Sequence, residues 1–215
     1  MSIDGLSRGA MEASGIGTRL REGREQKGLS LRELARRVSV SPSLISQVER
    51  GRAMPSVGTL FAIANELGLV IDELFKDAER PVPGKGPPPS AAPASGPVQR
   101  RSGRRTIQLR SGVRWERLTT SNDPEVEFLY VVYDVGAASC DEGSMFRHGG
   151  KEYGYILSGR LGIQIGFESY ELGPGDSLSF DAEAPHRLWT IGREPVIAIF
   201  AIVRRHLDDR TPGAN

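Results

Sequence analysis

The 215-residue chain has a single cysteine, Cys140, so no disulfide can form within it. It has no run of eighteen apolar residues, so no membrane-spanning helix is expected and a membrane is not among the expected partners. Its opening stretch, MSIDGLSRGAMEASG, lacks a basic start followed by an apolar core, and no secretory signal is expected. These absences together point to a reducing, cytoplasmic setting. Charge of one sign is also scarce, with a net value of only +1. That balance is uneven along the chain. Residues 1–76 hold 11 basic and 9 acidic side chains, residues 77–105 hold 6 and 2, and residues 106–215 hold 11 and 16. A basic front and an acidic back suggest that only the front meets a polyanion.

Large apolar residues are nearly missing from ERPVPGKGPPPSAAPASGPVQRRSGRR, Glu79 to Arg105. Such a segment cannot bury enough surface to offset its ordering entropy, so residues 77–105 read as a Pro/Gly/Ala-rich linker. The chain therefore divides into a front domain over 16–76 and a back domain over 106–205.

The front domain has helical periodicity throughout. Ile16 and Leu20 open a first helix that stops at Gly28. Ser30 caps a second, with Glu33 at capping-box spacing, and Leu31, Leu34, Ala35 and Val38 fall on one face. Ser41 caps a third, Pro42 suits its first turn and Gly51 ends it, with Leu44, Ile45 and Val48 pointing inward. Leu60, Ile63, Ala64 and Leu67 repeat the pattern, and IDELF closes the domain. That makes five short helices.

Only a short turn separates the second helix from the third, which leaves the third free to project. Its exposed side chains would be Pro42, Ser43, Ser46, Gln47 and Arg50. A helix of this kind can lay its N-terminal half in the major groove of double-stranded DNA. Gln47 can pair with adenine through both amide atoms, and Ser43 can bond a base edge. Ser41, Arg50 and Arg52 suit phosphates, which position the protein without specifying sequence.

These residues carry a resemblance. GLSLRELARRVSVSPSLISQVERGRAMPSVGTLFAIANELG is similar to the helix-turn-helix domain of XRE-family bacterial repressors, over about Ile16 to Phe75. The resemblance implies operator binding. Gly23 departs from the family pattern, which has a large apolar residue there. Glycine in a helix interior costs about 1 kcal/mol relative to alanine. Gly23→Leu is therefore expected to raise the domain's melting temperature.

In the back domain, short runs rich in Val, Ile, Tyr and Phe (VEFLYVVYDV, YGYILSG, RLGIQIGF, SYELG, DSLSF, HRLWTI and VIAIFAIV) alternate with Gly, Pro and Asp. They predict an antiparallel sandwich or barrel. Neighbouring strands of a small barrel can bring side chains together inside it. His148, Glu152 and His186 can meet in this way, and two imidazoles with one carboxylate suit Fe, Mn, Ni or Zn.

RHGGKEYGYILSGRLGIQIGFESYELGPGDSLSFDAEAPHRL resembles the two motifs of the cupin superfamily, with a match over about residues 108–203. The resemblance implies a double-stranded β-helix, or jelly roll. It aligns His148, Glu152 and His186 with three of the four ligands of metal-binding cupins. Phe146 stands in place of the first histidine and Thr190 in place of a frequent asparagine. The trio can hold a divalent transition metal, line a polar pocket for a small organic molecule, or form a buried hydrogen-bonded cluster. Tyr155 is expected in the pocket wall, with Tyr130, Trp115, Phe180 and Trp189 as further wall residues or ordinary core.

The combined resemblance implies a DNA-binding transcriptional regulator and no enzyme. Its cupin domain would sense a small-molecule effector and pair the chain as a homodimer. The alternatives are a metal-dependent cupin enzyme, a dioxygenase or isomerase, and a regulator whose cupin only dimerises.

Overall fold

The computed structural model describes residues 4–75 and 96–204, with side chains from residue 15 onward. Five helices, α1 (Asp4–Gln26), α2 (Leu31–Arg37), α3 (Pro42–Glu49), α4 (Val57–Leu67) and α5 (Ile71–Leu74), precede nine strands. The first helix begins well before the expected Ile16. Among the described residues, no helix is long and apolar enough to cross a membrane.

The caps follow the sequence. The hydroxyls of Ser30, Ser41 and Ser56 accept from the amides of Glu33, Leu44 and Thr59 at 3.1, 3.1 and 3.2 Å. Each satisfies one of the donors that a helix start leaves open. Only half of the capping box forms, because the Glu33 carboxylate turns instead to Arg36 and Arg37. Of the inward positions, Leu34, Ala35, Ile45, Val48, Leu60, Ile63, Ala64 and Leu67 are buried, while Leu31, Val38 and Leu44 are half-buried and pack against the edge of the core. Arg24 bonds both oxygens of the buried Glu49, at 2.6 and 2.9 Å, and so ties α1 to the end of α3.

Two glycines of α1 sit at close approaches. A Cβ on Gly17 would lie 2.3 Å from the Val48 carbonyl oxygen, so the crossing of α1 and α3 needs glycine there. Gly23 faces Leu69, whose Cδ1 would be 3.1 Å from an added Cβ. The Leu69 and Leu67 side chains occupy the space beside this position. A leucine side chain at this position has to displace Leu69, a cost that opposes the expected gain from Gly23→Leu.

The back domain is built from β1 (Thr106–Gln108), β2 (Val113–Arg117), β3 (Val126–Tyr133), β4 (Lys151–Ser158), β5 (Arg160–Ile165), β6 (Glu168–Leu172), β7 (Ser177–Asp181), β8 (His186–Ile191) and β9 (Val196–Val203). They form a six-stranded sheet, β1-β2-β3-β9-β4-β7, and a three-stranded sheet, β6-β5-β8, with antiparallel pairing throughout. β3 to β9 follow the seven apolar runs of the sequence. β1 and β2 lie in TIQ and VRWER, where charged and polar residues obscure the alternation. Strand β9 shows that alternation most plainly: Val196, Ala198, Phe200 and Ile202 are buried and their neighbours are not.

Residues 77–95 of the expected linker lie outside the described residues. Its arginine-rich end is described and lies against the sheet. The Arg117 amide donates to the Arg105 carbonyl at 2.9 Å, Arg104 pairs with Glu116 at 3.2 Å, and the Arg104 guanidinium lies 5.2 Å from the Tyr130 ring centre.

Candidate effector pocket and DNA-reading helix

Strand register decides which side chains enter the barrel. Across β3, β9, β4 and β7, Glu127, Ile202, Glu152 and Phe180 form one inward row. His186 enters at the start of β8. His148 arrives from the loop before β4, where its amide donates to the Ala182 carbonyl at 3.0 Å. All three members of the expected trio are buried, and one potential ligand atom from each lies within 4.8 Å of the others.

The hydrogen bonds fix how these atoms are presented. His186 Nδ1 lies 2.9 Å from the Ala184 carbonyl oxygen, and His148 Nδ1 lies 3.2 Å from that of Gly149. A carbonyl oxygen only accepts, so in the neutral rings each Nδ1 carries the proton and each Nε2 is left as a bare lone pair. Glu152 Oε2 then faces His148 Nε2 at 3.3 Å and His186 Nε2 at 3.8 Å. Among the described residues, Glu152 Oε2 and His186 Nε2 have no hydrogen-bond partner. Three electron-rich atoms converge on one point, which suits a cation or a donor group from a ligand. The burial of His186 pushes its imidazole below the ordinary value of 6.5, partly offset by the Glu152 carboxylate. A neutral ring is the form a metal needs. The donor set therefore fits a divalent transition metal held by His148, Glu152 and His186.

Phe146, in the place of a fourth ligand, lies against the site. Its backbone pairs with His186 in both directions, at 3.1 and 2.9 Å, and its ring lies 4.3 Å from the His186 ring. Trp115 lines the pocket, and Phe180 meets the His186 ring edge-on at 4.9 Å.

Tyr155 does not reach the pocket. It is three residues from Glu152 on β4, so the period-2 alternation turns it to the opposite face, where it is 47% exposed. Tyr130 pairs with Ile199 in the same outer row as Tyr155, and Trp189 alternates outward from the buried His186 and Leu188. Cys140 is half-buried, and burial pushes its thiol up, which disfavours the reactive thiolate.

Several pocket residues were not expected from the sequence, among them Leu129, Val131, Tyr133, Leu188 and Phe200 from the strands and two from the helical domain. Val57 and Phe61, on α4 of the helical domain, complete the wall. The sequence pattern turns Leu60, Ile63, Ala64 and Leu67 inward and gives Phe61 no role, and its spacing carries no signal for a contact with the other domain.

On α3, Ser41, Pro42, Ser43, Gln47 and Arg50 are exposed, as is Arg52 just beyond, while Ser46 is half-buried. Gln47 Nε2 lies 3.3 Å from Ser43 Oγ, one turn away. The Ser41 hydroxyl accepts the capping bond and retains its proton for donation.

Comparison with known proteins agrees with both halves. Residues 20–74 match the helix-turn-helix family and residues 129–202 the cupin domain family. The chain is 26% identical over 170 residues to the HTH-type transcriptional regulator PuuR of Escherichia coli K12, covering 79% of this chain and 84% of that one. It is 24% identical over 188 residues to the HTH-type transcriptional regulator SutR of the same organism, covering 87% and 93%. A crystal structure of a helix-turn-helix family transcriptional regulator from Vibrio cholerae superposes with a TM-score of 0.63 at 20% identity, covering 92% of this chain and 99% of that one.

Proposed function

We propose that this chain, a DNA-binding transcriptional regulator that joins an N-terminal XRE-type helix-turn-helix domain to a C-terminal cupin domain, takes a small effector at His148, Glu152 and His186. The observation that carries the effector site is the convergence of unpartnered lone pairs on Glu152 Oε2 and His186 Nε2 inside a buried pocket. The effector engages these atoms directly or through a divalent transition metal that they hold. We assign the trio a sensing role and no catalysis.

In this reading, residues 16–76 read DNA, 77–105 connect, and 106–205 sense. Ser43, Ser46 and Gln47 face base edges, with Pro42 at the start of the same face. Ser41, Arg50 and Arg52 meet phosphates. The chain works as a homodimer on an operator with two half-sites. Support for pairing comes from the outer face of the six-stranded sheet, where Phe128, Tyr153, Tyr155 and Leu157 are exposed large apolar or aromatic side chains. Such a patch marks an interaction surface.

The test is metal content of the full chain and of His186→Ala, purified without chelator or affinity-tag metal. About one metal per wild-type chain and none in the variant supports a metal-loaded sensor site. An empty wild type directs the search to organic molecules that shift both melting temperature and operator affinity. Turnover of any such molecule would sink the non-enzymatic reading. No metal, and no ligand that moves operator affinity, would reduce the cupin to a dimerisation module.

A further inference from the structure

Phe61 belongs to the DNA-binding half, yet its ring closes the cupin pocket. It lies 4.1 Å from the His148 ring and within 10° of parallel to it. It also meets Trp115 and Phe146, each at 5.7 Å between ring centres. With Phe61 in place the cavity beside His148 and Glu152 is about 20 Å³. That is room for about one water molecule or a bare ion, and too little for an organic ligand.

The seating of α4 is built at several points. The Gly58 amide donates to the Ser139 carbonyl at 3.0 Å, and the Arg110 amide to the Pro55 carbonyl at 3.2 Å. A Cβ on Gly58 would lie 3.1 Å from Phe146 Cβ and 3.3 Å from Cys140 Cβ, so the helix comes as close as glycine permits. Beyond α4, Asp72 of α5 faces Arg117 of β2 at 3.5 Å, and both side chains are 2% exposed.

We propose that the DNA-binding domain is itself the lid of the cupin pocket on the side of His148 and Glu152: an organic effector enters the cavity beside these two residues by displacing Phe61, so its binding there and the docking of α4 exclude one another. This rests on reading the trio as an effector site. A bare metal ion differs, because it fits beneath Phe61 and leaves the lid seated. By linkage, docking weakens effector binding by the factor that effector weakens docking. Docking does not cover the DNA-reading face, since Ser43, Gln47, Arg50 and Arg52 stay exposed with α4 seated. The effector therefore acts by releasing each helical domain from its barrel. In a dimer this changes the spacing of the two recognition helices, on which half-site binding depends.

The test treats the full chain with diethyl pyrocarbonate, a small organic electrophile that modifies unprotonated imidazole nitrogen. The modification rate at His148 and His186 is followed by peptide mass spectrometry in wild type, Phe61→Ala and Gly58→Leu. The first variant removes the plug. The second keeps the phenylalanine but wedges α4, and Phe61 with it, away from the barrel. Both are expected to speed modification of His148 by about tenfold or more, as for a site that must open before it reacts. Unchanged protection in Phe61→Ala overturns the lid. Fast reaction in Phe61→Ala with wild-type protection in Gly58→Leu also overturns it, since docking would then not control access. If circular dichroism shows either variant unfolded, Phe61→Leu and Gly58→Ala take their places with the same criteria. Failure of the effector reading looks different: the histidines open on undocking, yet neither metal nor organic ligand binds them.

Discussion

His186 Nε2 and Glu152 Oε2 face each other 3.8 Å apart inside the barrel, both buried and both without a hydrogen-bond partner. The Ala184 carbonyl holds the proton on the far nitrogen of His186, so the near one presents a lone pair. This relationship turns two lone pairs toward the same space inside the barrel.

The state of His186 gives a pH prediction. Burial lowers its folded value below 6.5. A base depressed in the folded state contributes stability above its unfolded value and loses it as pH falls through the folded one. The melting-temperature difference between wild type and His186→Gln should therefore shrink as pH drops from about 7.5 to about 5. A difference that stays flat, or grows, over that range would sink this account of the ring.

Two glycines of α1 should respond to substitution as their neighbours dictate. Gly17→Ala drives a methyl into the backbone of α3, and its melting temperature should fall despite alanine's better helix propensity. Gly23→Leu should also lower the melting temperature, through a loss of about 1–3 kcal/mol in stability from overpacking against Leu69. Thermal denaturation checks both, and a rise in either would show that the helices can shift to make room.

DNA recognition should separate by residue. Operators are first recovered by selection from random-sequence DNA. Gln47→Ala should then cost about 1–3 kcal/mol on the best site and relax preference at one base pair. Arg50→Ala and Arg52→Ala should weaken all sequences alike and flatten the salt dependence by about one unit each. Loss of base preference in the arginine variants would reverse these roles.

The outward turn of Tyr155 gives that residue a different test. If the outer sheet face pairs two chains, Tyr155→Glu together with Tyr153→Glu should yield monomers by light scattering, with the strand signal in circular dichroism kept. The same pair of changes should leave metal content untouched, because Glu152 lies on the other side of β4. A variant that remains dimeric would move the interface elsewhere.

The sequence by itself determined the elements and most of the trio. Serine caps, helical spacing and the Gly/Pro punctuation of the strands are local properties, and α2 to α4 and β3 to β9 formed where their own residues directed. β1 and β2 escaped because their alternation is short and charged, and the early start of α1 because little in DGLSRGAMEASG separates helix from tail. Tertiary structure decided the rest. Tyr155 and Glu152 are three residues apart, and only the strand register, which alternates faces, sends one out and the other in. Gly23 reads as a missing core residue until Leu69 is seen filling its space. Phe61 has no marked place in the helical spacing of α4, and its role at the pocket exists only because the two domains pack together. Contacts between distant segments depend on shapes that no local pattern encodes, so the lid over His148 could be learned only from the folded chain.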